Sequence, residues 1–151
     1  MANLYATLRA IPGVRTVVLE APREGESLTP ETMPHVWCWE GTAPPPTDSG
    51  TDMLQCHLPV TVQLVFRHGD GQLRAEGRKW QAKLQAALAA DIGRGRDETV
   101  NAAFAVDTSG GETLITQTPK AGFGVVHLDL DIMWNRHRRN PYGLTPPAVA
   151  A

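Results

Sequence analysis

The sequence predicts an α+β fold: a mostly antiparallel, mixed sheet packed against one long amphipathic helix, with a short helix at the N-terminus. Three patterns carry that expectation. Leu54, Cys56, Leu58, Val60, Val62, Leu64 and Phe66 occupy every second position, the period of a long, half-buried strand. After a turn at His68-Gly69-Asp70-Gly71, Leu73, Gly77, Trp80, Leu84, Ala87 and Leu88 recur at spacings of four, three, four, three and one, the signature of a helix with one apolar face. Val126, Leu128, Leu130, Ile132 and Trp134 then alternate with His127, Asp129, Asp131 and Met133, giving a second strong strand. Strands that follow one another around a single major helix favour antiparallel neighbours over βαβ units.

The other elements follow in order. Leu4 and Leu8 share one face of a helix over Asn3 to Ala10, which Pro12-Gly13 stops before the β-branched run Val14 to Leu19. Residues 21–34 carry Pro22, Pro30 and Pro34 among glutamates with little periodicity, and read as an exposed, flexible loop. His35 to Glu40 reads as a short strand. Residues 41–52 include three consecutive prolines and Thr47-Asp48-Ser49-Gly50, which predicts a mobile surface loop. The helix should end near Asp91 to Gly95, where two glycines can supply a left-handed cap. Val100, Ala102, Phe104 and Val106 alternate, Ser109-Gly110-Gly111 reads as a turn, and Leu114-Ile115 begins another strand. Trp134 is expected beneath the long helix against Trp80. Residues 143–151 read as an extended tail.

At 151 residues with 42% hydrophobic content the chain supports one domain, 1–151. Its 14 basic and 16 acidic residues give a net charge of -2, which argues against a dedicated nucleic-acid binder. No stretch approaches the ~20 apolar residues of a membrane span. Met1 to Ala10 lacks a signal-peptide core, so a product made in the cytoplasm without a leader is expected. Two cysteines, Cys38 and Cys56, are too few for a disulfide scaffold and are expected as buried thiols.

Several residue groups invite chemistry. His35, Cys38, Cys56 and His57 have zinc-ligand character, but neighbours on a strand point to opposite faces, so Cys56 and His57 cannot both reach one ion in regular structure. A Cys-His nucleophile pair would require a stabilised thiolate, and neither cysteine sits at a glycine-rich elbow or a helix start. His127, Asp129 and Asp131 share a strand face and could bind a divalent cation or transfer protons, although any wet sheet face alternates in this way. His68-Gly69-Asp70-Gly71 and Gly93-Arg94-Gly95-Arg96 lack the spacing of a phosphate-cradling loop. No catalytic residue, metal or cofactor is assigned.

Charge is more informative. Up to Asp52 the chain has three Arg against seven acids, whereas Arg136-His137-Arg138-Arg139 follows directly on the last strand, beside Asn140-Pro141-Tyr142. An acidic front and a basic tail give a ring of copies complementary edges.

Taken together, the element order, Leu8-Arg9-Ala10-Ile11-Pro12-Gly13-Val14, the Leu58 to Arg67 strand with its following helix, and the closing stretch Trp134 to Tyr142 resemble the tail terminator (tail completion) proteins of long-tailed bacteriophages. The likeness runs from about Leu4 to Tyr142. It implies a structural virion protein at the head-proximal end of the tail, without enzymatic activity or cofactor. Such proteins form a homo-oligomeric ring, expected as a hexamer, that caps the tail tube protein and meets a head-tail connector or stopper protein. DNA would be met only by passage through the lumen, and no membrane is involved. Ring contacts that close need two different surfaces per subunit. Glu20, Glu24, Glu26 and Glu31 on one side, with Arg136, Arg138, Arg139, Asn140 and Tyr142 on the other, are the expected interface. The alternatives are another neck or head-closure adaptor, and a small Cys/His hydrolase or metalloprotein.

Overall fold

Two strands of sixteen residues, paired along their whole length, organise the molecule. The computed structural model describes residues 2–24, 28–48, 50, 52–90, 103–107 (as backbone) and 122–139. In chain order these form α1 (Ala2–Arg9), β1 (Thr16–Val18), a 3-10 turn (Pro30–Thr32), β2 (His35–Glu40), β3 (Thr47–Asp48), β4 (Met53–His68), α2 (Leu73–Ala89), β5 (Ala103–Asp107) and β6 (Gly122–His137). The six described strands make one sheet in the order β1-β2-β4-β6-β5, with β3 also pairing with β4. β1 and β2 run parallel and every other pair is antiparallel, so the protein is α+β with a mixed sheet. No described helix is long and apolar enough to cross a membrane.

The alternation in β4 and β6 builds the main core directly. Antiparallel register sets Val60 opposite Leu130, Val62 opposite Leu128 and Leu64 opposite Val126, so all six side chains leave the same face. They are buried together with Val36 and Cys38 of β2, Leu4 and Leu8 of α1, and Leu73, Trp80, Leu84 and Leu88 of α2. The helical spacing therefore marks the buried face of α2: Leu73, Gly77, Trp80, Leu84 and Leu88 are buried, and Ala87 is partly so. Gly124 explains how α2 gets so close to the sheet. A Cβ there would lie 2.3 Å from Phe66 Cζ and 2.6 Å from Leu73 Cδ1, so the first turn of α2 and the Phe66 ring occupy the space a side chain would need.

The connection from α1 to β1 is equally determined. Gly13 adopts φ +92°, a conformation that disfavours side chains, and the position of its absent Cβ is 3.0 Å from Trp80 Cη2. Lys83 Nζ lies 4.4 Å from the centre of the Trp80 ring and donates to the Pro12 carbonyl at 3.4 Å, tying α2 to this turn.

These contacts overturn the expected Trp80–Trp134 pair. Leu73 is anchored at Gly124, and Trp80 lies about 10 Å further along the helix. Trp134 lies about 33 Å further along β6, opposite Cys56, where it is half-buried at the margin of the core. The mismatch in rise between helix and strand carries the two indoles apart.

Two segments expected as loops are more structured than their composition suggests. Within 41–52, Thr47 and Asp48 pair with Gln55 and Leu54. β2 ends opposite Val60, which leaves the edge of β4 beyond it open to a short strand. Residues 21–24 are exposed as expected, but Leu28 and Met33 pack on the second face of the sheet with Trp37, Val65, Trp39, Phe123 and Val125. That face has its own apolar patch, and the segment before β2 covers it. The proposed α2 cap at 91–95, the turn at 109–111, the strand at Leu114-Ile115 and the tail 143–151 lie outside the described residues.

Candidate subunit interface

The expected interface residues fall on two separate parts of the sheet. Glu20 follows β1, and Glu31 lies in the 3-10 turn that leads into β2. Arg136 is the penultimate residue of β6, paired with Leu54, and Arg138 and Arg139 form the turn beyond it. His35 opens β2 opposite Val65, eleven positions along β4 from Leu54, or about 36 Å. Val18, two residues before Glu20, is level with Gln63, nine positions from Leu54 or about 30 Å, so Glu20 and Glu31 both lie well along the ladder from the arginines, whereas Asp48 of the acidic front lies at the basic end. Glu26, Asn140 and Tyr142 lie outside the described residues.

Their local partners differ. Glu20 is paired with Arg23 at 3.0 Å, and both are well exposed. Arg15 donates to the Glu31 backbone carbonyl at 3.3 Å, not to its carboxylate. Arg138 is exposed but engaged within its own chain: its guanidinium donates to the Asp48 carboxylate, and its backbone N–H donates to the Asp52 carbonyl at 2.6 Å. It therefore fastens β3 to the end of β6. The Arg139 N–H donates to His137 Nδ1 at 3.2 Å, fixing the turn and placing the neutral ring's proton on Nε2. Among the described residues neither Arg136 nor Arg139 has an ion-pair partner.

A feature that the sequence alone only half reveals lies on the second face of the sheet. Thr61 stands opposite Asp129 and Gln63 opposite His127, so a polar strip continues where the apolar patch ends. Asp129 Oδ1 accepts from Thr61 Oγ1 at 3.1 Å and lies 3.2 Å from His127 Nε2. His57 Nδ1 lies 2.8 Å from Asp131 Oδ2, a diagonal cross-strand pair. Alternation in β6 placed Asp129 and Asp131 together, but the partners on β4 depend on a register that no local pattern specifies.

The chemistry considered for the cysteines is not assembled. Cys38 stands opposite Val62, six positions along β4 from Cys56, or about 20 Å. Both thiols lie on the helix side of the sheet, while His57 lies on the other. Burial pushes the Cys38 thiol up to about 12, a nearby Glu40 charge adding to the rise against an opposing effect of the N-terminal ammonium. A thiol so disposed is a poor nucleophile. Among the described residues no three His, Cys, Asp or Glu side chains are disposed to hold a metal. An open cleft of about 410 Å³ at the start of α2, lined by Arg67, His68, Gly69, Gln72 and Glu76, contains neither cysteine.

No protein-family model matches the chain, and no curated protein matches it. The geometry therefore bears the functional reading together with the resemblance in its sequence.

Proposed function

We propose that this protein is a tail terminator of a long-tailed bacteriophage or related particle: a non-enzymatic virion subunit that forms a ring, caps the tail tube and presents a surface to the head-side connector. The observation that carries this reading is the distribution of charge on a rigid sheet. Arg136 and Arg139, without ion-pair partners among the described residues, stand at one end of the long β4–β6 ladder, far from the acidic groups beside β1 and β2. One copy cannot bring these surfaces together, whereas copies arranged head to tail can. Repeated contacts between unlike surfaces close into a ring when their rotation permits. The α+β fold and the order of its elements support the resemblance to the family.

The test is to add the purified protein to polymerising tail-tube subunits and measure tube length by electron microscopy. A terminator arrests growth at substoichiometric amounts, with a ring visible at one end. Unchanged tube lengths together with binding to a connector would favour the head-closure adaptor, and binding to neither would refute both.

A further inference from the structure

We propose that the polar strip on the second face of the sheet is the docking surface for another copy of this chain, with Asp129 and Asp131 receiving Arg136 and Arg139 of that copy. This rests on the ring-forming reading and names the acceptor within it. The carboxylates are held ready. Asp129 uses Oδ1 for Thr61 and His127, and Asp131 uses Oδ2 for His57, so each retains an oxygen for which no partner is assigned. Their side chains are 61% and 40% exposed, enough for a guanidinium to reach them. Glu20 is a weaker acceptor because it already pairs with Arg23.

The basic side is also held in place. Arg138 is committed to Asp48 and to the Asp52 carbonyl, and the Arg139 N–H to His137, so the turn that presents Arg139 is braced at three points. Ordering the donor before association reduces the entropic cost of binding. Strand alternation excludes an internal solution for Arg136. It leaves β6 on the face of Leu54 and Trp134, whereas Asp129 and Asp131 leave on the opposite face with Thr61 and His57. A contact between Arg136 and these carboxylates must come from a second molecule. It joins unlike surfaces, as a closing ring requires. Among the described side chains, the titratable groups facing the site are His57, His127 and the two aspartates, and Asp107 of β5 is paired with Asp131 in the register; exposed charge pairs weaken with salt.

The experiment is sedimentation velocity of the full chain over a concentration series, using two charge-reversed variants, Asp129→Lys/Asp131→Lys and Arg136→Glu/Arg139→Glu, each checked for native circular dichroism. The unaltered protein should self-associate, more weakly at high salt, and each variant alone should associate at least about tenfold more weakly. Mixing the variants should restore association, because each retains the surface that is altered in the other, so the arginines of the first meet the aspartates of the second. A monomer at every concentration, or a mixture no tighter than its components, overturns the proposal. Loss of association only in the arginine variant also overturns it, by moving the acceptor elsewhere, and leaves tube capping to be judged separately. A variant that fails to fold is replaced by its neutral counterpart, Asp129→Asn/Asp131→Asn or Arg136→Gln/Arg139→Gln, which should weaken association in the same direction.

Discussion

Adding one methyl group at Gly124 tests how α2 is seated on the sheet. An alanine Cβ would stand 2.3 Å and 2.8 Å from Phe66 Cζ and Cε2, and 2.6 Å from Leu73 Cδ1. Ordinary carbon contacts lie near 3.5–4.0 Å, so every one of these is about 1 Å too short. Phe66 is fully buried and Leu73 nearly so, so neither side chain can move aside into solvent. Overpacking a well-filled site costs about 1–3 kcal/mol, and three simultaneous overlaps argue for the upper end. Replacing glycine in a strand returns about 0.5–1 kcal/mol, leaving a net loss of about 2 kcal/mol. For a chain of this size that is a fall in Tm of about 6 °C. Urea denaturation of Gly124→Ala should show a lower midpoint at unchanged slope. In the Phe66→Leu background, where the ring's end is gone, the same substitution should cost at least about 1 kcal/mol less. A Gly124→Ala protein as stable as the unaltered one would refute the packing argument.

Gly13→Ala should lose about 1–3 kcal/mol, since φ is +92° and the new methyl would press on Trp80; denaturation followed by tryptophan fluorescence measures it, and an unchanged midpoint contradicts the turn described here. Cys38 gives a pH dependence. Its thiol is held neutral up to about 12 in the folded protein, while the unfolded thiol ionises from 9.0, so its contribution to stability is intact below pH 9 and is lost as pH rises toward 12. Denaturation between pH 8 and 10.5 should show a steeper loss for the unaltered protein than for Cys38→Ala, and equal slopes would count against burial as the cause. Arg138→Ala should speed amide hydrogen exchange at Thr47 and Asp48 without moving the global midpoint, because it releases β3 from β6 and leaves the core intact.

What could be read from the sequence was what repeats locally. Alternation from Leu54 to Phe66 and from Val126 to Trp134 located both long strands, and the three-four spacing of Leu73, Trp80, Leu84 and Leu88 identified the buried side of α2. Pro12-Gly13 marked the turn but not its partner, since the approach of Trp80 comes from a helix about seventy residues away in the chain. β3 was hidden because two exposed residues after a proline run have no periodicity; only the edge left open by β2 gives them a place. The burial of Met33 had the same origin, a patch assembled from β2, β4 and β6 that needed covering. On the candidate interface, the basic cluster at Arg136 to Arg139 was evident from composition, but the commitment of Arg138 to Asp48 and the pairing of His57 with Asp131 are facts of register and tertiary closure.

Whether this protein terminates tail tubes is decided by electron microscopy of tails assembled with and without it, scoring tube length and the head-proximal end. Overlong, heterogeneous tubes are expected in its absence, restored to a single length and capped by a ring when the protein is supplied. Tubes of normal length in its absence would contradict termination.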